Sequence, residues 1–259
     1  MSVIYTPKGK AREYSPLACN LYSGCNHGCK YCYAPAILRK KRDEYLAVSE
    51  RRNIISSFRK DAANNKGTQV LFCFTTDPYN SREPELEITR KCLKIALYSK
   101  VPVVVLTKSA TVLRDLDLFV SFGANIRVGM TLTMDNTKDS MLWEPGASIP
   151  TERINALNDL HKAGVNTWAS FEPVIDIEQS LRIMDRSLDC VDVYRVGKLN
   201  NYKGLDKDMD WNYFLKMSVE MLRDNNKDFY IKEDLRKFAK GFKLYGNEMN
   251  YDEFNLSWK

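Results

Sequence analysis

Three cysteines, Cys25, Cys29 and Cys32, fall within the stretch SGCNHGCKYCY that runs from Ser23 to Tyr33. Thiolates are ligands for soft metal centres. The spacing C-x3-C-x2-C lets three of them converge from one tight loop on a single inorganic group. Gly24 and Gly28 give that loop access to backbone angles closed to other residues. Two centres compete for such a set. A structural zinc ion closes with four protein ligands. Cys19 and His27 are the nearest further donors, but Cys19 lies in a strand-like run and His27 sits between two of the cysteines. A [4Fe–4S] cluster takes one thiolate per iron. Three cysteines then leave one iron open to a substrate or cofactor.

Other residues with chemical potential are fewer. The chain has two histidines, too few for imidazole acid–base or metal chemistry to carry the function. Lys108 ends the β-branched run VVVLTK and should emerge at a strand's carboxyl end, where it can meet a carboxylate as a point charge; otherwise it is a solvated strand-end lysine. Thr75, Thr76 and Asp77 end another strand in the same way, although Asp77-Pro78 with Asn80 is also good turn chemistry. Glu144 and Arg153 flank WEPGASIPTER and read as an ion pair that holds the loop to the next helix. His161 reads as a surface histidine near a helix end. Cys92 and Cys190 read as small buried apolar side chains.

These residues need a scaffold, and the pattern of the chain supplies one. Short β-prone runs occur at 17–22, 69–74, 101–107, 125–133, 166–174, 191–197 and 228–232. Between them lie amphipathic helices. One carries the stripe Ile88, Cys92, Ile95 and Ala96; another carries Ile154, Leu157 and Leu160 and stops at Gly164. Sustained β-α-β-α order means parallel strands joined by crossover helices. The expected fold is α/β, a partial (β/α)6-type TIM barrel with a C-terminal extension. Residues 1–259 read as one domain, with a core at about 15–200 and the extension at about 201–259. In such barrels chemistry sits on loops at the carboxyl ends of strands, which is where the cysteine loop falls.

Composition narrows the class. Hydrophobic residues at 44% and charged residues at 28% suit an ordinary globular chain. No apolar run approaches the roughly 20 residues of a membrane span, and the opening MSVIYTPKGKAREY lacks the apolar segment of a signal peptide. A cytoplasmic location follows as the expectation, with reduced thiols. The net charge of +6 is mild, but Arg39, Lys40, Lys41 and Arg42 form a basic run that suits either a solvated helix face or an anionic partner.

The motif C-x3-C-x2-C, with the aromatic Tyr31 before its last cysteine, resembles the signature of the radical S-adenosylmethionine superfamily. SPLACNLYSGCNHGCKYCYAP, TTDPYNSREPELEITRKCL, VVVLTKS and WEPGASIPTERINALNDLHKAGV are similar, in order and spacing, to the spore photoproduct lyase-like group, over about residues 15 to 200. The resemblance implies a [4Fe–4S] cluster on Cys25, Cys29 and Cys32 and S-adenosylmethionine chelated at the open iron. It implies reductive cleavage of that cofactor to a 5′-deoxyadenosyl radical, which abstracts hydrogen from a substrate, with nucleic acid as the substrate class. A flavodoxin- or ferredoxin-like electron donor would be the partner. Among positions that match, Lys108 is implied to meet the cofactor carboxylate, Tyr31, Thr76 and Thr131 to contact the cofactor, and Glu172 to lie near the adenine. The family pattern has a small residue at the last position, so Glu172 is a departure that points toward the substrate. In the lyase a cysteine at a strand end returns hydrogen to the product radical. Aligned on Asp77, that donor falls on Phe74, and strand alternation turns Cys73 to the other face. The reading from another class is a non-catalytic zinc-containing nucleic-acid-binding protein.

Overall fold

In the computed structural model the described residues are 2–258, except 201, 203 and 206. The first strand, β1 (Ile4–Tyr5), pairs antiparallel with β2 (Leu17–Cys19). From β2 the chain makes a small hairpin, β3 (Tyr22–Ser23) with β4 (Ser49–Glu50), whose interior holds the cysteine loop and two short helices, α1 (Ala34–Ile37) and α2 (Arg42–Leu46). Regular alternation then begins: α3 (Ile54–Asn64), β5 (Val70–Phe72), α4 (Glu83–Leu86), α5 (Ile88–Tyr98), β6 (Val103–Thr107), α6 (Leu116–Phe122) and β7 (Ile126–Thr131). It continues with α7 (Thr137–Trp143), α8 (Pro150–Lys162), β8 (Asn166–Phe171), α9 (Ile177–Arg186), β9 (Val193–Val196), α10 (Trp211–Asp224), β10 (Asp228–Ile231) and α11 (Glu233–Arg236).

The sheet order is β1-β2-β5-β6-β7-β8-β9-β10, and every pairing from β2 to β10 is parallel. All seven expected strand runs are therefore parallel strands of one open sheet, as a partial barrel requires. The C-terminal extension is not peripheral to it. Helix α10 and strand β10 continue the β/α alternation and add the last parallel strand.

Side-chain alternation along the strands separates two apolar layers. Outward-facing residues such as Phe72, Val103, Val105, Val128 and Phe171 pack against the helices; the stripe Ile88, Cys92, Ile95 and Ala96 on α5 is buried there, as is Cys190. Inward-facing Leu71, Val104, Trp168 and Val193 form the second layer with Tyr14. Gly129 makes room for it: a Cβ at that position would run into the Trp168 ring and carbonyl, and the indole N–H donates to the Val105 carbonyl at 2.9 Å. Phe254 and Leu256 pack on the same layer, while Leu256 N–H donates to Gln69 and Arg127 donates to the Phe254 carbonyl. The tail thereby closes the amino end of the barrel and leaves the carboxyl end for chemistry.

Candidate functional site

The cysteine loop is sewn down by backbone hydrogen bonds. Cys25 N–H donates to the Tyr45 carbonyl at 2.9 Å, Cys32 N–H to Cys29 at 3.0 Å, and Lys30 N–H to Trp143 at 2.8 Å. Gly24 and Gly28 have φ of +83° and +65°, the left-handed region expected of them. At Gly24 a Cβ would collide with the carbonyls of Ala47 and Tyr45, so no other residue fits. Thr76, in the loop that follows β5, adds a further tie: its hydroxyl donates to the Gly24 carbonyl at 2.5 Å. Arg42 donates to the carbonyls of Gly28, at 3.1 Å, and of Cys29.

Cys25, Cys29 and Cys32 line one small cavity together with Gly28, Pro35, Arg42, Tyr45 and Leu46. Burial pushes the Cys25 and Cys29 thiols up to about 12, so a bound cation has to displace their protons. Among the described residues no three His, Cys, Asp or Glu side chains close around a single point as one metal ion requires. Neither candidate fourth ligand joins the three thiols: Cys19 is buried in the outer apolar layer, and His27 is buried with Nδ1 3.4 Å from Asp77 Oδ2. The His27 pKa is lowered, mainly by burial, although Asp77 pulls the other way.

Asp77 is a structural hub. Its carboxylate also accepts from Thr107 Oγ1 at 2.6 Å, Tyr79 N–H at 2.8 Å and Lys108 N–H at 3.0 Å. That fixes the backbone from which Lys108 projects. The Lys108 ammonium lies 5.7 Å from the centre of the Tyr31 ring. Burial opposes its charge, but Cys29 and Glu144 outweigh burial and raise its pKa. The Tyr31 hydroxyl donates to Glu144, which also accepts from Thr133 Oγ1 at 2.8 Å and pairs with Arg153. Arg153 adds hydrogen bonds to the carbonyls of Ser148 at 2.7 Å and Thr131 at 2.9 Å. The expected Glu144–Arg153 ion pair is present, fully buried under the cysteine loop. His161 lies at the surface near Asp192, as expected.

Period-two alternation places Lys108, Thr131 and Glu172 on the inner side at the carboxyl ends of β6, β7 and β8, following Leu106, Gly129 and Ser170. Thr131 is buried there. Glu172 stands apart from the Lys108 group. Its carboxylate accepts from Tyr14 hydroxyl at 2.6 Å, Asn200 Nδ2 at 2.9 Å and Lys232 Nζ at 2.5 Å. Lys232 lies 4.4 Å from the Tyr14 ring centre. Asn200 reaches Asp234 at 2.6 Å, and Lys10 reaches the same carboxylate at 2.7 Å.

Sequence reasoning missed this second polar group. Its signal was present in DFYIK, where Ile231 faces out and Lys232 must therefore face in, the logic that located Lys108. The other members, Tyr14, Asn200 and Asp234, lie in irregular segments or a short helix whose register has no period to read. Positions 201, 203 and 206 of the neighbouring VGKLNNYKGLD lie outside the described residues.

Cys73 packs in the outer layer and accepts the Leu21 N–H at 3.4 Å, whereas Phe74 packs on the inner layer with its ring 5.9 Å from that of Tyr14. The side expected for each is the side observed.

Comparison with known proteins gives this geometry a context. An uncharacterized protein of Methanocaldococcus jannaschii is 32% identical over 160 residues, 60% of this chain and 59% of its own length. An uncharacterized protein of Acidianus two-tailed virus is 25% identical over 209 residues, 73% of this chain and 68% of its own. The chain thus spans only about three fifths of the first of these relatives. Among solved structures, a Cys-to-Ser mutant of spore photoproduct lyase superposes with TM-score 0.67 at 15% identity, covering 88% of this chain and 78% of the lyase. Streptococcus suis SuiB bound to S-adenosylmethionine superposes with TM-score 0.64 at 13% identity, covering 88% of this chain and 53% of SuiB. These two likenesses bear on the fold. Residues 19–183 match the family model described as Radical SAM superfamily, which spans the cysteine loop, Lys108 and Glu172; the chain belongs to the radical SAM superfamily.

Proposed function

We propose that this chain is an enzyme in which Cys25, Cys29 and Cys32 hold a [4Fe–4S] cluster and the neighbouring residues seat S-adenosylmethionine. One observation carries the reading: three thiols on one loop line one cavity at the carboxyl side of β2, and among the described residues that line it there is no further Cys, His, Asp or Glu. That donor set suits a centre with one position left open and does not suit a closed zinc site. When bound, the reduced cluster supplies the electron that cleaves the cofactor to methionine and a 5′-deoxyadenosyl radical.

The chain's own residues do the rest by position and charge. Lys108 presents a desolvated ammonium beside Cys29, suited to a cofactor carboxylate. Glu144, neutralised by Arg153, holds Tyr31 and with it the loop's last turn. Thr76 serves through Gly24, and Thr131 lies beneath the space between Lys108 and Glu172. Glu172, Tyr14 and Lys232 form the far wall, a polar surface suited to orienting the substrate. Nucleic acid is the substrate class we assign. It is supported by the likeness to spore photoproduct lyase in complex with AdoMet and a dinucleoside spore photoproduct, TM-score 0.66 at 14% identity.

The test is anaerobic purification, iron and sulfide analysis, and mass spectrometry for 5′-deoxyadenosine after reduction. Brown protein that releases 5′-deoxyadenosine, with both properties lost in Cys29→Ala, is the expected outcome. Colourless zinc-containing protein, or full iron and cleavage in Cys29→Ala, would overturn the assignment.

A further inference from the structure

Apart from the cysteines, two polar side chains line the thiol cavity, and both come from α2: Tyr45, which is buried, and Arg42, which is exposed on its outer side. Tyr45 is fixed at both ends. Its carbonyl accepts the Cys25 N–H at 2.9 Å, and its hydroxyl donates to the Thr75 carbonyl at 2.7 Å. The same hydroxyl is within hydrogen-bond reach of the Cys32 side chain. Arg42 ends the basic run 39–42, and it turns back on the cysteine loop. Its guanidinium donates to the carbonyls of Gly28, Cys29 and, at 3.5 Å, Lys30. Burial dominates at the other two thiols, but His27 N–H donates to Cys25 and the Lys108 charge draws on Cys29.

We propose that Tyr45 and Arg42 tune the reduction potential of the centre held by Cys25, Cys29 and Cys32, raising it above the value that the thiolates alone would give. The proposal rests on the cluster reading above. Tyr45 acts through the Cys32 sulfur and Arg42 through its charge beside the Cys29 peptide.

Reduction places a further negative charge on the iron–sulfur group and its sulfur ligands. A donor to a ligand sulfur and a cation beside the loop both favour that charge, and hydrogen bonds to the sulfurs are among the factors that set such potentials. The phenol has one proton and two acceptors, the Thr75 carbonyl and the Cys32 sulfur. Added charge on the sulfur draws the proton toward it, so this contact is stronger in the reduced state than in the oxidised one. The ring alone would fill the cavity wall; only the hydroxyl reaches Cys32. Tyr45 acts in a buried place where salt screens little, whereas the field of exposed Arg42 is screened. The phenol is therefore the larger influence, and the two separate by their response to salt.

The test is a redox titration of the anaerobically reconstituted full chain, followed by electron paramagnetic resonance at low and raised salt. Tyr45→Phe keeps the ring, so it should retain its iron and lower the midpoint. The reduced-to-oxidised ratio at a fixed potential should fall about tenfold, which for one electron is a shift of about 59 mV, and the shift should persist in raised salt. Arg42→Met should lower the ratio by a smaller factor, roughly threefold, and only at low salt. Arg42→Lys keeps the charge and should restore most of that loss. An unchanged midpoint in iron-loaded Tyr45→Phe would overturn the proposal. So would loss of iron from Tyr45→Phe, which would make the hydroxyl a structural tie to Thr75. An Arg42→Met shift that survives raised salt, or that Arg42→Lys fails to restore, would overturn Arg42's part and leave it as a brace for the loop carbonyls. Wild-type protein that takes up no iron, or gives no reducible signal, would instead overturn the cluster reading beneath it.

Discussion

Replacing Arg153 by methionine isolates the buried charge that supports the cysteine loop. Arg153 and Glu144 are each no more than 1% exposed. The substitution removes the guanidinium from Glu144 and also from the carbonyls of Ser148 and Thr131. Breaking a buried pair by deleting one partner costs about 3–5 kcal/mol, because the remaining charge is left uncompensated. Glu144 keeps Tyr31 and Thr133 as donors, which reduces the cost, whereas the two stripped carbonyls increase it. A central value of about 4 kcal/mol lowers Tm by about 8–16 °C in a chain of this size. Glu144→Gln keeps the shape but leaves the buried Arg153 guanidinium uncompensated, and should cost about 3 kcal/mol, the low end of that range, because the Ser148 and Thr131 carbonyls still accept from it. The double variant has no buried charge left to compensate, so its loss should fall short of the sum by about 1–3 kcal/mol. Thermal unfolding followed by circular dichroism measures all three. A Tm for Arg153→Met within about 2 °C of the wild type, or strict additivity in the double variant, would refute the buried-pair reasoning.

Other expectations follow from the same geometry. Lys108→Ala should leave iron content intact and weaken S-adenosylmethionine binding roughly ten- to a hundredfold, since a charge-assisted contact is worth about 1.5–3 kcal/mol; equilibrium dialysis reads this, and an unchanged dissociation constant returns Lys108 to a solvent-facing role. Cys73, held in the outer layer, should not quench a substrate radical. Reduced enzyme incubated with cofactor and a photoproduct-bearing dinucleotide should therefore restore no thymines, and Cys73→Ala should lose little cofactor cleavage. Efficient repair that disappears in Cys73→Ala would show the thiol reaching the inner face. The Arg90 guanidinium holds the Asp117 carboxyl down to about 2. A carboxylate depressed in the folded state adds stability above its unfolded pKa near 4 and loses it as pH falls toward 2. Asp117→Asn should flatten that acid limb of the stability profile, and an unaltered limb would discount the pair.

What could be read from the sequence was whatever repeats with a period or a fixed spacing. VPVVVLTK has both, so strand, face and terminal lysine were all accessible, and the same alternation turned Cys73 away from Phe74. Loop spacing likewise located the three cysteines. Alternation could have turned Glu172 and Lys232 inward one by one, but their meeting was out of reach for a physical reason. Tyr14, Asn200, Lys232 and Asp234 meet only because the open sheet brings its first and last segments together, and no local pattern encodes that closure. Thr76 shows a subtler limit. Its position at a strand's carboxyl end was evident, but whether its hydroxyl would turn to a ligand or to the Gly24 carbonyl depends on where a distant loop comes to rest.

That closure also constrains the order in which the molecule can be assembled. Arg195 binds the Glu13 carbonyl, the Tyr230 hydroxyl binds the Glu13 carboxylate at 2.8 Å and Lys10 binds Asp234 at 2.7 Å, across 182, 217 and 224 residues of sequence. Contacts that distant carry the largest loop-closure entropy and are the slowest to form. During synthesis the segment around Glu13 leaves the ribosome long before Tyr230 and Lys232 exist, so its polar groups must wait in water until the last β/α unit arrives. The wall opposite Lys108 is thus a late event in folding, and a chain stalled before β10 would carry the cysteine loop without that wall.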